Sequence, residues 1–353
     1  MGYAQQPYQR SFFVTIGLVL IIACVNLAFS TNQVAGKVNP KLELGRRLFY
    51  DQRLSINGAR SCASCHAPEL AFTDGYRKSL SIDGFNVTRN SPSLINAKYF
   101  SSLTWADTTI KDLITQMDCP MFSEHPQEMG WKGNESIILD RLNQDPVYQQ
   151  LLKQIFPTKK QYTTELVKIA IAAFEETLVS FNAPYDRYLR GQTNALSPSA
   201  RRGMNLFFSG RTKCGVCHEG KLLGGENFAN VGLYNVGDTN TYPVSDRGLF
   251  NNTKNPDDDG SFRIPSLRNV LLTAPYMHDG SVATIEEVID IYVAGGRNIT
   301  EGPHAGDGRK NAKKDMRVKS FTLTGEERKD LIAFLASLTD SSVLNNPRWK
   351  NPF

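Results

Sequence analysis

Apolar residues recur at helical spacing along much of the chain. In Thr164–Phe181 they follow one another at short intervals, and neither Gly nor Pro interrupts them. Such a run predicts an amphipathic helix. The run stops at Asn182-Ala183-Pro184, and the residue before a proline is disfavoured in a helix. The pattern therefore predicts a helix over residues 164–181.

Two further helices are predicted by their N-terminal residues. Thr284-Ile285-Glu286-Glu287 and Thr324-Gly325-Glu326-Glu327 both place Thr at the N-cap and Glu three residues later, which is the arrangement of a capping box. The first helix should end at Gly295-Gly296, since Gly favours a helix C-terminus. The second should bury one apolar face, made of Leu331, Phe334, Leu335 and Leu338. Strand signals are few, so we expect a mainly α fold.

A short phrase occurs twice in the chain. Gly45–Tyr50 reads GRRLFY, and Gly203–Phe208 reads GMNLFF. In both, apolar residues follow a glycine at the spacing of a short helix with one apolar face. The repetition indicates an internal duplication. We therefore expect two helical domains of related structure.

The domain boundaries are predicted from composition. Gly191–Pro198 is rich in Gly, Asn, Ser and Pro, which predicts a linker. A chain of 353 residues is long enough for two domains of ordinary size. We expect an N-terminal domain over 31–190, a C-terminal domain over 191–345 and a tail over 346–353. The polar segment Asn251–Gly260 is predicted to be a turn or loop.

Residues 1–30 are interpreted as a targeting segment. Arg10 precedes the apolar run Phe12–Phe29. Three outcomes stay open for it: cleavage at Ala28-Phe29-Ser30 as a signal peptide, lipid attachment at Cys24, or retention as a membrane-spanning helix. In each case we expect the remainder of the chain in the periplasm, either soluble or attached to the membrane.

The charge balance excludes one class of partner. The net charge is +5, no run of five or six like charges occurs, and the basic stretch Lys310–Lys319 is interrupted by Asp315. Such a stretch is typical of a solvated surface, so we expect no nucleic-acid binding. A rim of lysines still suits an acidic redox partner.

Two complete C-x-x-C-H boxes carry the clearest chemistry. They are Cys62-Ala63-Ser64-Cys65-His66 and Cys214-Gly215-Val216-Cys217-His218. In such a box both cysteines form thioethers to one haem, and the histidine is an axial ligand of its iron. We predict two covalently bound c-type haems, with His66 and His218 as iron ligands.

Two alternatives explain the boxes less well. A zinc site needs four N or S ligands, and a C-x-x-C redox pair has no need of the following histidine. The chain has only five histidines, and two of them directly follow the two cysteine pairs. The remaining cysteines are Cys24 and Cys119, so no disulfide framework is implied.

The sixth iron ligand decides what each haem does. A protein ligand there favours electron transfer, and an open position allows a small molecule to react. By spacing alone, Met277 is the natural sulfur ligand for the haem of His218. A residue of the helix that follows Met277 is the alternative, and the sequence leaves this choice open.

Several phrases resemble one family over nearly the whole mature chain. RLSINGARSCASCHAPELAFTDG, RNSPSLINAKYF, EMG and IPSLRNVLLTAPYMHDGSVATIEEVIDIY are similar to the bacterial di-haem cytochrome c peroxidase and MauG family. In that family the N-terminal haem reacts with peroxide, the C-terminal haem stores or relays electrons, and a calcium ion lies between them. The resemblance implies two cytochrome-c-like helical domains, each with its own haem, and the haems at or near the domain interface.

For the second haem, the resemblance implies Tyr292 as the sixth ligand. The family places this ligand fourteen residues after the histidine of HDG, which is His278 here. Ordinary peroxidases have methionine there, and MauG-type enzymes have tyrosine. The alternative is that Tyr292 is an aromatic residue of the helix core.

For the first haem, the resemblance implies an open site. Ordinary peroxidases carry a blocking histidine in the loop that corresponds to Ser79–Arg89, and this loop has none. Glu128 matches the distal acid that assists O–O cleavage, with Gln116 and Pro120 as its companions. The loop before Glu128 is two residues longer than usual, and an exposed surface carboxylate is the alternative. We interpret Cys119 as a small apolar filler beside this site.

The resemblance also implies residues between the haems. Trp105 matches a tryptophan that relays electrons, although a buried structural aromatic has the same appearance. Asn90, Thr273 and Pro275 match a calcium site made of one side-chain amide and two backbone carbonyls. His278 is expected to bond a haem propionate or a structural water.

The function expected from these residues is reduction of hydrogen peroxide with electrons from a small cytochrome c or cupredoxin. A first alternative is a MauG-like enzyme that uses both haems in a high oxidation state to oxidise a protein side chain. Thr212 stands where MauG has the surface tryptophan that passes holes to its substrate, so methylamine dehydrogenase is not the expected substrate. A second alternative is a di-haem electron carrier that never reacts with peroxide.

Overall fold

The computed structural model describes residues 1–2, 39–237 and 239–353. Most of the predicted targeting segment, including Cys24, lies outside the described residues. Contacts divide the chain into the units Met1–Asn39 and Pro40–Phe353, and the fold described here is that of the second. None of the described helices is both long and apolar enough to cross a membrane.

Helices dominate the second unit, which confirms the mainly α prediction. They are α1 (Pro40–Tyr50), α2 (Leu113–Gln116), α3 (Asp118–Phe122), α4 (Glu135–Asn143), α5 (Pro146–Ile155), α6 (Thr164–Glu175), α7 (Pro184–Leu189), α8 (Pro198–Phe207), α9 (Cys214–Cys217), α10 (Phe250–Thr253), α11 (Ile285–Ala294) and α12 (Gly325–Ala336). Single 3₁₀ turns occupy Gln52–Leu54, Cys62–Ser64, Pro68–Leu70, Ala97–Tyr99, Thr193–Ala195, Pro256–Asp258, Val270–Leu272, Gly308–Lys310 and Ser341–Leu344.

The strands of the described residues form two short antiparallel pairs. β1 (Phe228–Ala229) pairs with β2 (Phe262–Arg263), and β3 (Asn298–Ile299) pairs with β4 (Gly306–Asp307). In the first pair Phe228 lies opposite Arg263. These pairs are too short to form a core, so they serve to position loops around the helices.

The duplicated phrase has the same packing role in both halves. Gly45 lies where α1 crosses α6, and Gly203 lies where α8 crosses α12. A Cβ atom at Gly45 would approach the carbonyl oxygen of Ala170 to 1.9 Å, and one at Gly203 would approach that of Asp330 to 1.8 Å. Only glycine lets the two backbones come this close. Each half therefore contains one tight helix crossing just before its C-x-x-C-H box.

Three of the predicted helix boundaries are confirmed, and one is wrong. Thr284 and Thr324 form both predicted capping boxes, and Gly295 ends α11 with a φ of 73°. The helix predicted to reach residue 181 ends at Glu175.

The physical reason for the early end is competition for backbone groups. The side chain of Asn96 accepts a hydrogen bond from the Ser180 amide at 2.9 Å, and the Asn96 amide donates to the carbonyl of Leu178 at 2.7 Å. These bonds hold the chain extended where a helix would otherwise continue.

The apolar side chains form separate cores. One core is built mainly from residues 44–178, and a second is built from residues 185–338. A third, smaller core contains Trp105 together with residues 231–299. The segment 346–353, predicted as a tail, contributes Trp349, which is buried in the first core. The boundary between two domains stays a prediction.

We predict that Gly45→Ala and Gly203→Ala each destabilise the protein. The added methyl group would overlap a backbone carbonyl, and overpacking of this kind costs about 1–3 kcal/mol. Gly325→Ala is the matched control, since nothing lies within 4 Å of a Cβ atom at that helical position. Chemical denaturation measures the free energy of unfolding, and equal values for all three variants would contradict the crossing argument.

Candidate haem-binding pockets

Each C-x-x-C-H box lines a large internal pocket. The first pocket contains the side chains of the first box together with residues of α2, α3 and α6. The second pocket contains those of the second box together with residues of α11 and β2. Trp105 and Asn90 line both pockets. The sequence-predicted residues of the first pocket are Cys62, Cys65, His66, Trp105, Gln116, Pro120 and Glu128. Those of the second are Cys214, Cys217, His218, Thr273, Pro275, His278 and Tyr292.

The two histidines of the boxes are held in the same way. The Nδ1 atom of His66 lies 3.0 Å from the carbonyl oxygen of Phe72, and that of His218 lies 3.1 Å from the carbonyl oxygen of Leu223. A carbonyl only accepts, so Nδ1 carries the proton and Nε2 keeps its lone pair. Burial lowers the pKa of both imidazoles, so both are neutral. This is the tautomer that an iron ligand requires.

The cysteines of the boxes fit haem attachment better than the alternatives. All four are free, and burial raises the pKa of each thiol, whereas reactive redox cysteines have a lowered pKa. Within the described residues, no group of three or more His, Cys, Asp and Glu side chains is arranged to hold a metal ion, so a zinc site lacks its donors. The chemistry of each pocket therefore fits a covalently attached haem.

The predicted distal residues come together in the first pocket. Gln116 ends α2, Pro120 lies in α3, and Glu128 follows in the loop after α3. The Glu128 amide donates to the Ser123 hydroxyl at 3.1 Å. Burial raises the pKa of the Glu128 carboxyl to about 6. The longer loop still brings Glu128 to the pocket, and its catalytic role stays a prediction.

The loop that lacks histidine also lines the first pocket. Ser79, Ser81 and Arg89 are among its lining residues, and Arg89 pins the loop by a bidentate ion pair to Asp246 at 2.8 and 2.9 Å. Of the described residues that line this pocket, His66 is the sole histidine. An open sixth position on the first haem stays a prediction.

Cys119 differs from the expectation of an apolar filler. It lines the first pocket, yet it is exposed. Met117 and Met121, two residues to either side of it, are buried instead.

Both candidate ligands of the second haem line the second pocket. Tyr292 projects from α11, and its hydroxyl makes no hydrogen bond to the described part of the chain. Burial raises the pKa of this phenol. Met277 lies in a loop with a φ of 74° and packs beside the third core. The choice of Tyr292 over Met277 stays a prediction.

Trp105 is firmly held between the pockets. Its indole Nε1 donates to the carbonyl of Asn90 at 2.8 Å, and its own carbonyl accepts from the Arg263 amide at 2.8 Å. The Arg263 guanidinium lies 5.8 Å from the indole ring centroid, within reach of a cation–π interaction. This position suits a relay between two haems, and it equally suits a structural aromatic.

The predicted calcium residues belong to the lining of the second pocket. Asn90, Thr273 and Pro275 all line it. The Asn90 side-chain amide donates to the Tyr76 carbonyl at 2.9 Å, which leaves its Oδ1 atom as an oxygen donor of the kind that calcium prefers. The calcium site stays a prediction.

The backbone carbonyl of His278 accepts from the Asn90 amide at 2.8 Å, while its imidazole makes a ring contact. Its imidazole stacks on Phe262 with a centroid distance of 3.5 Å and an interplanar angle of 13°. Burial lowers the pKa of His278 to about 4. A neutral ring lining the pocket is compatible with the expected bond to a propionate or water.

Two polar residues that line the pockets were not predicted from the sequence. Glu175 ends α6 at the first pocket, and Arg263 lies in β2 at the second. Both are buried, and each has a side-chain atom without a hydrogen-bond partner. No sequence signal separates them from exposed charged residues, because their burial depends on distant segments.

The chain belongs to the di-haem cytochrome c peroxidase and MauG family, so two c-type haems are implied. A family model described as di-haem cytochrome c peroxidase matches residues 39–194. The cytochrome-c peroxidase IdrP1 of Denitromonas iodatirespirans is 34% identical over 335 residues, covering 87% of this chain and 84% of the relative. Methylamine utilization protein MauG of Methylorubrum extorquens is 32% identical over 306 residues, covering 86% and 80%.

A solved structure shows the same architecture. The crystal structure of a MauG-like protein associated with microbial copper homeostasis is 43% identical, with a TM-score of 0.86 over 89% of this chain and 93% of that one. Both peroxidases and MauG-type proteins are thus relatives. The family supports an oxidoreductase of this kind without choosing between the two activities.

We predict that each cysteine pair attaches one haem. The double variants Cys62→Ala/Cys65→Ala and Cys214→Ala/Cys217→Ala should each retain one covalent haem, because thioether bonds need the thiols. Cys119→Ala is the matched control and should retain two. Mass spectrometry of the denatured proteins counts the haems, and a two-haem mass for either double variant would exclude attachment at that box.

We also predict that Tyr292→Phe alters the absorption spectrum of the second haem, because it removes the phenol oxygen that would ligate the iron. Tyr276→Phe, in the same pocket, and Met277→Leu should leave the spectrum unchanged. Ultraviolet–visible and electron paramagnetic resonance spectra of the ferric holoproteins make the comparison. A change confined to Met277→Leu would assign the ligand to methionine instead.

Proposed function

We propose that this protein is a periplasmic oxidoreductase that reduces hydrogen peroxide to water with electrons from a small cytochrome c or cupredoxin. One observation carries the proposal: Glu128, a carboxyl whose pKa is raised to about 6 by burial, lines the same pocket as Cys62, Cys65 and His66. The apolar run Phe12–Phe29 supports export.

The residues of the first pocket would hold a haem and serve its substrate. Cys62 and Cys65 would attach the haem, and His66 would ligate its iron from Nε2. When bound, the haem supplies an iron centre that binds peroxide and accepts electrons. The neutral His66 is oriented by its bond to Phe72, which fixes the direction of the ligand before any substrate arrives.

Glu128 would act as the acid and base of the reaction. In its ionised form it takes the proton from one peroxide oxygen and returns it to the other, so that the leaving oxygen departs as water. Its pKa near neutrality suits both transfers, since the group can accept and donate near pH 7. Gln116 and Pro120 shape the wall beside it, and the amide of Gln116 is available to orient the peroxide.

Electrons would reach the first pocket from the second. Cys214 and Cys217 would attach the second haem, with His218 and Tyr292 as its iron ligands. Trp105 lines both pockets and would carry electrons between them. Asn90, Thr273 and Pro275 would hold a calcium ion beside this route.

Oxidation of a protein side chain is the second candidate function. The specific observation that favours it is the presence of Tyr292 in the second pocket, since tyrosine matches the MauG-type enzymes. The similar structure of a MauG-like protein associated with copper homeostasis supports the same candidate. In this version the electrons come from a substrate protein, and the roles of His66 and Glu128 are unchanged.

We predict that Glu128→Gln lowers peroxide-dependent oxidation of a reduced cytochrome c by about 10²–10⁴-fold, the usual contribution of general acid–base catalysis. In the unaltered protein the rate should fall as the pH drops through about 6, because the base is then protonated. The rate of the Glu128→Gln variant should not fall in this way as the pH drops. Stopped-flow absorbance follows the reaction.

The control for this prediction is Glu124→Gln. Glu124 is exposed and paired with Lys132, so its loss should leave rate and pH profile unchanged. Unaltered turnover in Glu128→Gln would remove Glu128 from the mechanism. If the unaltered protein forms no new spectral species with peroxide, the electron-carrier alternative would be favoured.

A further inference from the structure

Glu175 is an unpartnered acid inside the first pocket. It is the last residue of α6, its side chain lines the pocket, and the residue is 5% exposed. Its Oε2 atom has no hydrogen-bond partner in the described protein. A buried polar atom of this kind costs free energy unless something else satisfies it. A hydrogen-bond partner for this Oε2 atom would therefore have to come from a group bound in the pocket.

The charged groups around Glu175 do not neutralise it. Lys168, two turns earlier on α6, is paired with Asp118 at 2.9 Å. Helix α1 brings Tyr50 to the neighbouring Phe174, and α2 carries no titratable side chain within its bounds.

The groups that share the pocket with Glu175 do not pair with it either. They include Arg60, Glu128 and Cys62, and none of them hydrogen-bonds to Glu175. Burial alone raises the pKa of Glu175 to about 8. Burial therefore favours the protonated form of this carboxyl.

We propose that Glu175 is a second acid of the first pocket, which stores a proton and releases it during peroxide reduction. The inference rests on the proposed function. One peroxide takes two electrons from the redox protein and two protons to give two waters. Glu128 moves a proton from one oxygen to the other and returns to its starting state, so it supplies none in net. Glu175 would supply one of the two protons and be reprotonated from solvent, and solvent would supply the other proton.

Glu175 shares the first pocket with the predicted distal residues. Helix α2, which ends at Gln116, packs directly against α6. Gln116, Glu128 and Glu175 all line this pocket. No other described carboxyl side chain lines it.

The test is a potentiometric titration of the first haem in the holoprotein, at several pH values and without peroxide. Reduction adds an electron and so favours the protonated carboxyl. The reduction potential should therefore fall as the pH rises through about 8. Glu175→Gln should lack this dependence. Glu176→Gln, the exposed neighbour on the same turn, should retain it.

Two further measurements distinguish a proton-storing role of Glu175 from a structural one. Glu175→Asp restores a carboxyl and should restore the pH dependence, which separates a proton store from a packing role. Redox-difference infrared spectra should show the C=O band of a protonated carboxyl that disappears in Glu175→Gln alone. Peroxide turnover of Glu175→Gln should fall roughly 10-fold, less than for a group that contacts the substrate.

The inference is overturned if Glu175→Gln keeps the pH dependence and the infrared band of the unaltered protein. Because the titration uses no peroxide, its result does not depend on the proposed activity. A protein that shows the Glu175 signals but does not consume peroxide would refute the peroxidase proposal and support Glu175 as an acid of the pocket.

Discussion

The hydrogen bond between each box histidine and a backbone carbonyl is the interaction on which the chemistry of this protein depends. His66 bonds to Phe72, and His218 bonds to Leu223. Both acceptors lie five or six residues further along the chain, so a short local turn fixes the tautomer and direction of each imidazole. A close helix crossing, at Gly45 in one half and at Gly203 in the other, precedes each of the two boxes.

The two pockets differ in their buried charged groups, although their box histidines are held in the same way. The first pocket contains two carboxyls, Glu128 and Glu175, whose pKa values burial raises to about 6 and about 8. The second contains the Arg263 guanidinium, whose pKa burial lowers to about 10 and whose Nη1 atom has no partner. Proton chemistry is therefore favoured in the first pocket, and a fixed positive charge beside Trp105 is favoured in the second. The two pockets therefore differ in the kind of charged group that each one buries.

Local signals predicted much of this arrangement. A capping box uses atoms within four residues, so the starts of α11 and α12 were predictable from Thr284 and Thr324. A C-x-x-C-H box is likewise a local unit, and it indicated haem attachment before any fold was known. The end of α6 was not predictable, because Asn96, far away in sequence, binds the backbone at residues 178–180.

Sequence motifs and residue spacing were sufficient to predict the class of cofactor and the helical fold. The family resemblance added the residues expected around each iron. Those features depend on side chains that are close in sequence. The state of Glu175 and Arg263 depended on tertiary structure, because burial, an absent partner and a shifted pKa arise only when separate segments enclose a side chain. The placement of Trp105 against both pockets has the same origin, since its partners Asn90 and Arg263 come from different parts of the chain.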